Sequence, residues 1–497
     1  MNVYKQHSFE VLERIILRRI SDTIEKALDI AQAGFRRGRS TEDQALALTT
    51  YIENGFQRRL KTGAVFLDLT AAYDTVWHKG LLVKASHILP RWVVLTIASF
   101  LRDRRYRVHM GEKCSPWRLQ KNGLPQGSVL APTLFNIYTT DLPQTTSRKF
   151  IYADDICCAH QEPNFEQLNA VLNEDIQRMA NYCKEWRLKP SVQKTVSSIF
   201  HLNNARAQTE LNISLNGARI KHDKNPVYLG MTLDRSLTYR NHLQKLSSKV
   251  RTRNNLLQMV AGSTWGANAQ TLRTGALALC YSAAEYCAPV WRCSSHRTMV
   301  DTQLNATMRI ISGTIRSTQT EWLPVLCNIP PPSIRREVAT RRLLDTAGAI
   351  PNLPLIADLS NPPRLRLVSR NPIWRDPPAP EFDATTTWRD AWSNVSVINK
   401  HLIDDPTTAL PGFQLPRRQW NVLNRFRTAT GICAHILHKW GARPTSKCIC
   451  GHPDQTMMHI IDECPLLALE GGLQCAHSVP DTAVEWLQSL SSANFLL

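Results

Sequence analysis

Apolar positions along the chain change their period several times, and each change marks an element. Phe9, Leu12, Ile15, Ile16, Ile20, Ile24 and Leu28 recur at three- and four-residue intervals, which predicts a helix with one buried face over residues 8–30. Ser40 followed by Asp43 resembles a capping box and opens a second helix, to run to roughly residue 60. The run Ala64-Val65-Phe66-Leu67 has no polar gap and reads as a buried strand that ends on Asp68. Two further β-prone runs, Phe150-Ile151-Tyr152 and Ile156-Cys157-Cys158, meet at Asp154-Asp155, so two acids fall at the bend of a hairpin. Helical spacing returns at Phe165, Leu168, Leu172, Ile176, Met179, Cys183 and Trp186, a core stripe with no catalytic role. Asn216-Gly217 between two apolar runs predicts a tight hairpin turn, and Tyr228 to Leu233 a further strand. Residues 241–345 are helical and basic. Eight prolines between positions 351 and 380 predict an extended linker and a domain boundary.

Chemistry enters with the acids. A solvated turn is the plain reading of an isolated Asp-Asp pair. Crowding two carboxylates is costly unless a cation neutralises them. If the strand ending at Asp68 lies beside the hairpin, Asp68, Asp154 and Asp155 converge into an oxygen-rich set for hard cations such as Mg²⁺. Two such ions are what in-line phosphoryl transfer requires.

Charge narrows the partners. Lys and Arg exceed Asp and Glu by 19 over 497 residues, an imbalance that favours a polyanion and salt-dependent binding. No apolar run is long enough to span a bilayer, and the N-terminus has no signal-peptide pattern. Thirteen cysteines, an odd number without a small-secreted framework, point to a reducing intracellular setting. Arg102, Arg104, Arg105, Arg107 and Lys113 interleave with Tyr106 and Trp117, which suits a nucleic-acid backbone or a stacked base; a twisted exposed hairpin is the alternative. Arg36, Arg37 and Arg39 beside Gly38 suit phosphates, or else a solvated surface.

Near the C-terminus, Cys448, Cys450, His459 and Cys464 follow the spacing Cys-x-Cys-x8-His-x4-Cys. Three thiolates and an imidazole form a tetrahedral set suited to one Zn²⁺, with incidental thiols as the alternative. Arg417, Arg418, Arg425 and Arg427, with Trp420 and Phe426, precede it and complete the reading of a template- or target-binding module.

Five ordered boxes carry a resemblance: residues 32–44, 66–78, 123–138, Tyr152-Ala153-Asp154-Asp155, and 228–234. They resemble the motifs of non-LTR, LINE-like retrotransposon reverse transcriptases, jockey-like ones above all. The resemblance implies an α+β right-hand polymerase fold with a small C-terminal zinc knuckle. It implies partial fingers over 1–60, a palm with an antiparallel sheet over 61–235, a helical thumb over 236–345, a proline-rich linker over 346–400 and a basic zinc-knuckle region over 401–497. It implies catalysis by Asp68, Asp154 and Asp155 with two Mg²⁺, and nucleotide contacts at Leu69, Tyr73, Gln126 and Lys194, Tyr73 as steric gate. Template and primer contacts fall on Arg36, Arg37, Arg39, Gly127 and Tyr152. The implied partners are an RNA template, a DNA primer or target and deoxynucleoside triphosphates, with no membrane, in nucleus and cytoplasm. Relatives carry longer fingers and an endonuclease domain upstream. The implied activity is RNA-directed DNA polymerisation by target priming; the alternative is an inactive, truncated copy that only binds nucleic acid.

Overall fold

A computed structural model describes residues 3–262 and 265–492. The chain forms two compact units, Met1–Asn241 with Leu343–Pro377, and His242–Arg342 with Pro378–Leu497.

The first unit is built on a five-stranded sheet. Its strands are β1 (Lys61–Leu67), β2 (Arg148–Tyr152), β3 (Asp155–Glu162), β4 (Val196–Phe200) and β5 (Lys221–His222), in the order β5-β4-β1-β3-β2. The uninterrupted apolar run of β1 has the central place, where both faces are covered. Every pairing is antiparallel except β5 with β4, which is parallel, so the expected all-antiparallel sheet gains one parallel edge. The single strand expected at Tyr228 to Leu233 does not form. Those residues instead fold as a separate ribbon, Val227–Tyr228 with Met231–Thr232, because Leu229 and Gly230 both take positive φ and turn the chain back. Asn216-Gly217 does form its predicted turn, with φ of 53° and 79°.

Helices cover the sheet. α1 (Val3–Ala27) and α2 (Thr41–Gln57) precede it in the chain, α3 (Ala131–Tyr138) follows β1, and α4 (Phe165–Glu185) follows β3. In α1, Ile16, Ile20 and Ile24 are buried as the spacing predicts, while Leu12 and Ile15 are exposed; the side chain of Phe9 lies outside the described residues. Leu168, Leu172, Ile176, Met179 and Cys183 of α4 are all fully buried. Each large apolar side chain among them contributes about 1.5–3 kcal/mol. Ser40 caps α2 by accepting from the Asp43 amide at 3.1 Å.

The proline-rich stretch is not an extended linker over its first part. Residues 343–377 pack into the first unit, where Pro354 opens a short helix, Pro354–Ser360. The Arg370 guanidinium donates to Glu53 at 2.6 and 2.8 Å, Arg366 to the Phe56 and Gln57 carbonyls at 2.7 and 3.1 Å, and the Trp374 indole to Asn54 at 3.0 Å. The last turn of α2 is thus tied down by a segment some three hundred residues away.

The second unit is helical, with α5 (Arg240–Met259) at its start, then α6 (Thr298–Ser312), α7 (Trp322–Cys327), α8 (Arg417–Arg427) and α9 (Asp481–Ser492). Its core gathers Trp322, Trp388, Trp392, Val422, Phe426 and Ile461. The arginines of α8 overturn the expectation of a nucleic-acid face there. Arg417, Arg425 and Arg427 are buried, and Arg417 donates to the Ile310 and Ile311 carbonyls at the end of α6. Arg427, wholly buried, is satisfied by Asn424, His477 and the Pro411 carbonyl, and desolvation pulls its pKa down to about 9. A helix C-terminus offers unpaired carbonyls, and a guanidinium fork fills them well.

Candidate functional site

Strand register brings the three acids together. Leu67 pairs with Ile156 and Tyr152 with Asp155, so Asp68, one residue past β1, comes alongside Asp155. Ala153 takes φ 57° in the two-residue turn and leaves Asp154 beside its neighbour at the tip. Desolvation, then the charges of Asp154 and Asp68, push the Asp155 carboxyl above its usual range. The Asp68 Oδ2 atom is buried without a hydrogen-bond partner, and the nearest cation, Lys194 Nζ, stands 3.9 Å from it. Among the described residues, the acid and thiol groups whose ligand atoms all fall within 4.8 Å of one another do not include these three. Three like charges that share a site spread apart unless a cation draws them in, and an orphaned carboxylate oxygen fits such a cation.

The surroundings are ordered by the strand-to-helix turn after Asp68. Tyr73 stacks on Phe135 with centroids 4.6 Å apart. Its hydroxyl is buried and unpartnered, and desolvation with the charge of Asp154 raises its pKa. Asp74 accepts from the Gln126 side-chain amide at 3.2 Å. The loop that carries Gln126 docks on this turn through the Leu124 amide to the Tyr73 carbonyl and the Gly123 amide to the Val76 carbonyl, each 2.8 Å. Gly127 and Gln126 are exposed, Tyr152 is half-buried, and Leu69 is buried.

The arginine loop differs from its expectation. Arg36 is buried and spent: it pairs with Glu25 at 2.5 Å and donates to the Asp29 and Gln32 carbonyls at 2.7 and 2.9 Å. It fastens the loop to α1 and has no donor left for a phosphate. Arg39 is half-buried with all three guanidinium nitrogens unpartnered, next to the equally unpartnered carboxyl of Asp43. Desolvation raises Asp43 to about 6. Arg37 is exposed.

Two residues escaped sequence reasoning. Gln32 accepts from the amides of Gly34 and Ala153, both at 2.8 Å, and donates back to the Ala153 carbonyl at 3.3 Å, so it clasps the turn between Tyr152 and Asp154. Gly34 is required there, since a Cβ would lie 2.3 Å from the Ala153 nitrogen. Glu13 of α1 accepts from the Ser128 hydroxyl at 2.6 Å and the Leu130 amide at 3.1 Å and ties down the Gln126 loop. Gln32 falls at the start of the box over residues 32–44, and Glu13 on a helix face that reads as solvated.

Residues 3–233 match the family described as reverse transcriptase (RNA-dependent DNA polymerase). Over those residues the chain is similar to that family. Over 243 residues, 47% of this chain, it is 36% identical to a probable RNA-directed DNA polymerase from transposon BS of Drosophila melanogaster. Over 255 residues it is 31% identical to the RNA-directed DNA polymerase from mobile element jockey of Drosophila funebris. A putative 115 kDa protein in the type-1 retrotransposable element R1DM of Drosophila melanogaster aligns with 92% of this chain at 24% identity, well beyond residues 3–233. The chain spans 27% and 28% of the first two relatives' own length and 44% of the third's. Among the described residues no helix is long and apolar enough to cross a membrane.

Outside residues 3–233, Cys448, Cys450, His459 and Cys464 place their ligand atoms within 4.8 Å of one another. The Cys448 and Cys464 sulfurs are 3.8 Å apart, and the Cys450 sulfur is 3.3 Å from His459 Nε2. A tetrahedral ion with metal–sulfur bonds near 2.3 Å would set its sulfurs about 3.8 Å apart. His459 Nδ1 faces Glu463 at 3.3 Å, and the Gln455 amide donates to Cys448 at 3.4 Å. Burial resists ionisation of Cys448, but hydrogen bonds from the Cys450 backbone and Gln455 outweigh it and lower the pKa.

Proposed function

We propose that the chain is an RNA-directed DNA polymerase of a non-LTR retrotransposon that extends a primer 3′-OH on an RNA template with deoxynucleoside triphosphates. The observation that carries this is the meeting of Asp68, Asp154 and Asp155 through strand register, with one oxygen orphaned and one carboxyl pushed above its usual range by desolvation and then by its neighbours' charge. These acids would hold two magnesium ions, which when bound supply an activated attacking oxygen and a stabilised leaving group. Tyr73, stiffened by Phe135, bars a ribose 2′-hydroxyl. Gln126, oriented by Asp74, meets the template–nucleotide pair, next to Gly127. Lys194 beside Asp68 steadies the departing pyrophosphate or gives it a proton. The buried Leu69 shapes the floor under the nucleotide, and Arg37 and Tyr152 contact template or primer. Positioning and fixed charge provide most of the rate.

In this reading the sheet and its acids are the palm, α1 and α2 the fingers, and the helices of 236–345 the thumb. The Cys/His set holds one zinc ion in a knuckle; its sulfur spacing supports that ion. Primer extension on an RNA template is the test. The protein extends the primer, and Asp154→Asn lowers the rate about a hundred- to a thousandfold, the scale of a lost electrostatic partner. Equal silence from both, with RNA still bound, would leave only a binding protein.

A further inference from the structure

The ribbon between residues 102 and 121, in the first unit, takes no part in the sites above. Its register sets Arg105 opposite Leu119 and Tyr106 opposite Arg118, then His109 opposite Cys114 and Met110 opposite Lys113. The pairing slips by one residue between these ladders, since Val108 bonds with Ser115 and leaves Pro116 and Trp117 together opposite Arg107, a β-bulge. Alternation along the unbulged strand puts Arg105, Arg107 and His109 in one row, about 6.8 Å per step. Trp117 joins that row, its indole centroid 4.7 Å from the Arg107 guanidinium. The opposite face carries Tyr106, Val108 and Met110, which are 50%, 62% and 81% exposed.

Two strands alone are marginal in water, and this ribbon leaves large apolar side chains bare on both faces. Its charge says what covers them. Residues 102–121 hold seven Lys and Arg against Asp103 and Glu112, and among the described residues none of the seven pairs with a carboxylate. A polyanion fits. A duplex offers phosphates but hides its base faces, whereas an unpaired strand offers both, and bases stack on exposed rings. We propose that the ribbon grips single-stranded nucleic acid, with the Arg105–Arg107–His109 row along successive phosphates and Trp117 against a base. The proposal rests on the reading that the chain handles nucleic acid, and it adds a grip outside the acid site.

The full chain tests it by fluorescence anisotropy with an oligouridine and a blunt RNA–DNA duplex of equal length. Arg105→Ala with Arg107→Ala weakens oligouridine binding about tenfold and flattens its log–log salt slope by about 1.4, two phosphates' worth. Trp117→Ala weakens it roughly fivefold or more. Duplex binding changes by less than about twofold in Trp117→Ala, because the duplex hides its base faces. These side chains are exposed, so melting temperature stays put and the affinities can be compared. Unchanged oligouridine affinity, an equal loss on the duplex in Trp117→Ala, or a shift in oligomeric state with affinity intact would each overturn the proposal. Primer extension and oligouridine binding are read separately, so failure of the polymerase reading appears in extension and failure of the ribbon in oligouridine binding.

Discussion

The acid site and the Cys/His cluster are built in opposite ways. The first draws Asp68 to Asp154 and Asp155 through strand register, and its three like charges stay apart with an oxygen unsatisfied. The second takes all four ligands from a stretch of seventeen residues, Cys448 to Cys464, and holds them at tetrahedral spacing. A closed, soft-ligand set of that kind contributes folding energy, whereas an open set of carboxylates costs some until a cation arrives.

The widest gap between them should appear on losing a ligand. Cys464→Ser is expected to lose stoichiometric zinc by elemental analysis and to destabilise the second unit by several kcal/mol, because structural zinc sites carry about 10–16 kcal/mol of binding free energy. Asp154→Asn in the absence of divalent cations should leave the melting temperature level or slightly higher, as it removes repulsion. A metal-free Asp154→Asn protein that melts as early as Cys464→Ser would erase the contrast.

A smaller effect sharpens how the acid turn is held. Gln32→Ala removes three buried hydrogen bonds to Gly34 and Ala153 and should cost about 3–4.5 kcal/mol, at about 1–1.5 kcal/mol each with groups left unsatisfied. Amide exchange at Ala153 should quicken while that at Cys158, in the middle of β3, holds.

These two results also mark what the sequence could disclose. Runs that bury both faces or one helical stripe, such as β1 and α4, show themselves because burial selects apolar side chains. The acids at the ends of those runs show themselves for the same reason. Buried polar partnerships do not. Glu53, Asn54 and Gln57 look like a solvated end of α2 until Arg366, Arg370 and Trp374 arrive from far along the chain. Arg36, Arg417 and Arg427 look like surface charge, yet carbonyls, amides and a single glutamate hold them inside. Partner identity at long range leaves no periodic trace.

The smallest predicted effect depends on pH. Asp43 is raised from an ordinary 3.8 to about 6 by desolvation, so folding favours its protonated form. That contribution is complete below pH 3.8 and disappears as pH rises through about 6. Asp43→Asn should therefore stabilise the protein by about 1–3 kcal/mol at neutral pH and by almost nothing in acid, the upper figure being about two pKa units of linkage. Equal stabilisation at both would mean that the Asp43 carboxyl is not strained.

The claim on which the rest stands is that one divalent cation cluster touches both the end of β1 and the tip of the β2–β3 hairpin. Ferrous ion in place of magnesium, with ascorbate and peroxide, cuts a backbone close to where it binds. Two cut sites are predicted, one around Asp68 and one around Asp154, both suppressed by magnesium and both lost in Asp154→Asn. Cleavage at the hairpin with the chain near Asp68 intact would contradict it.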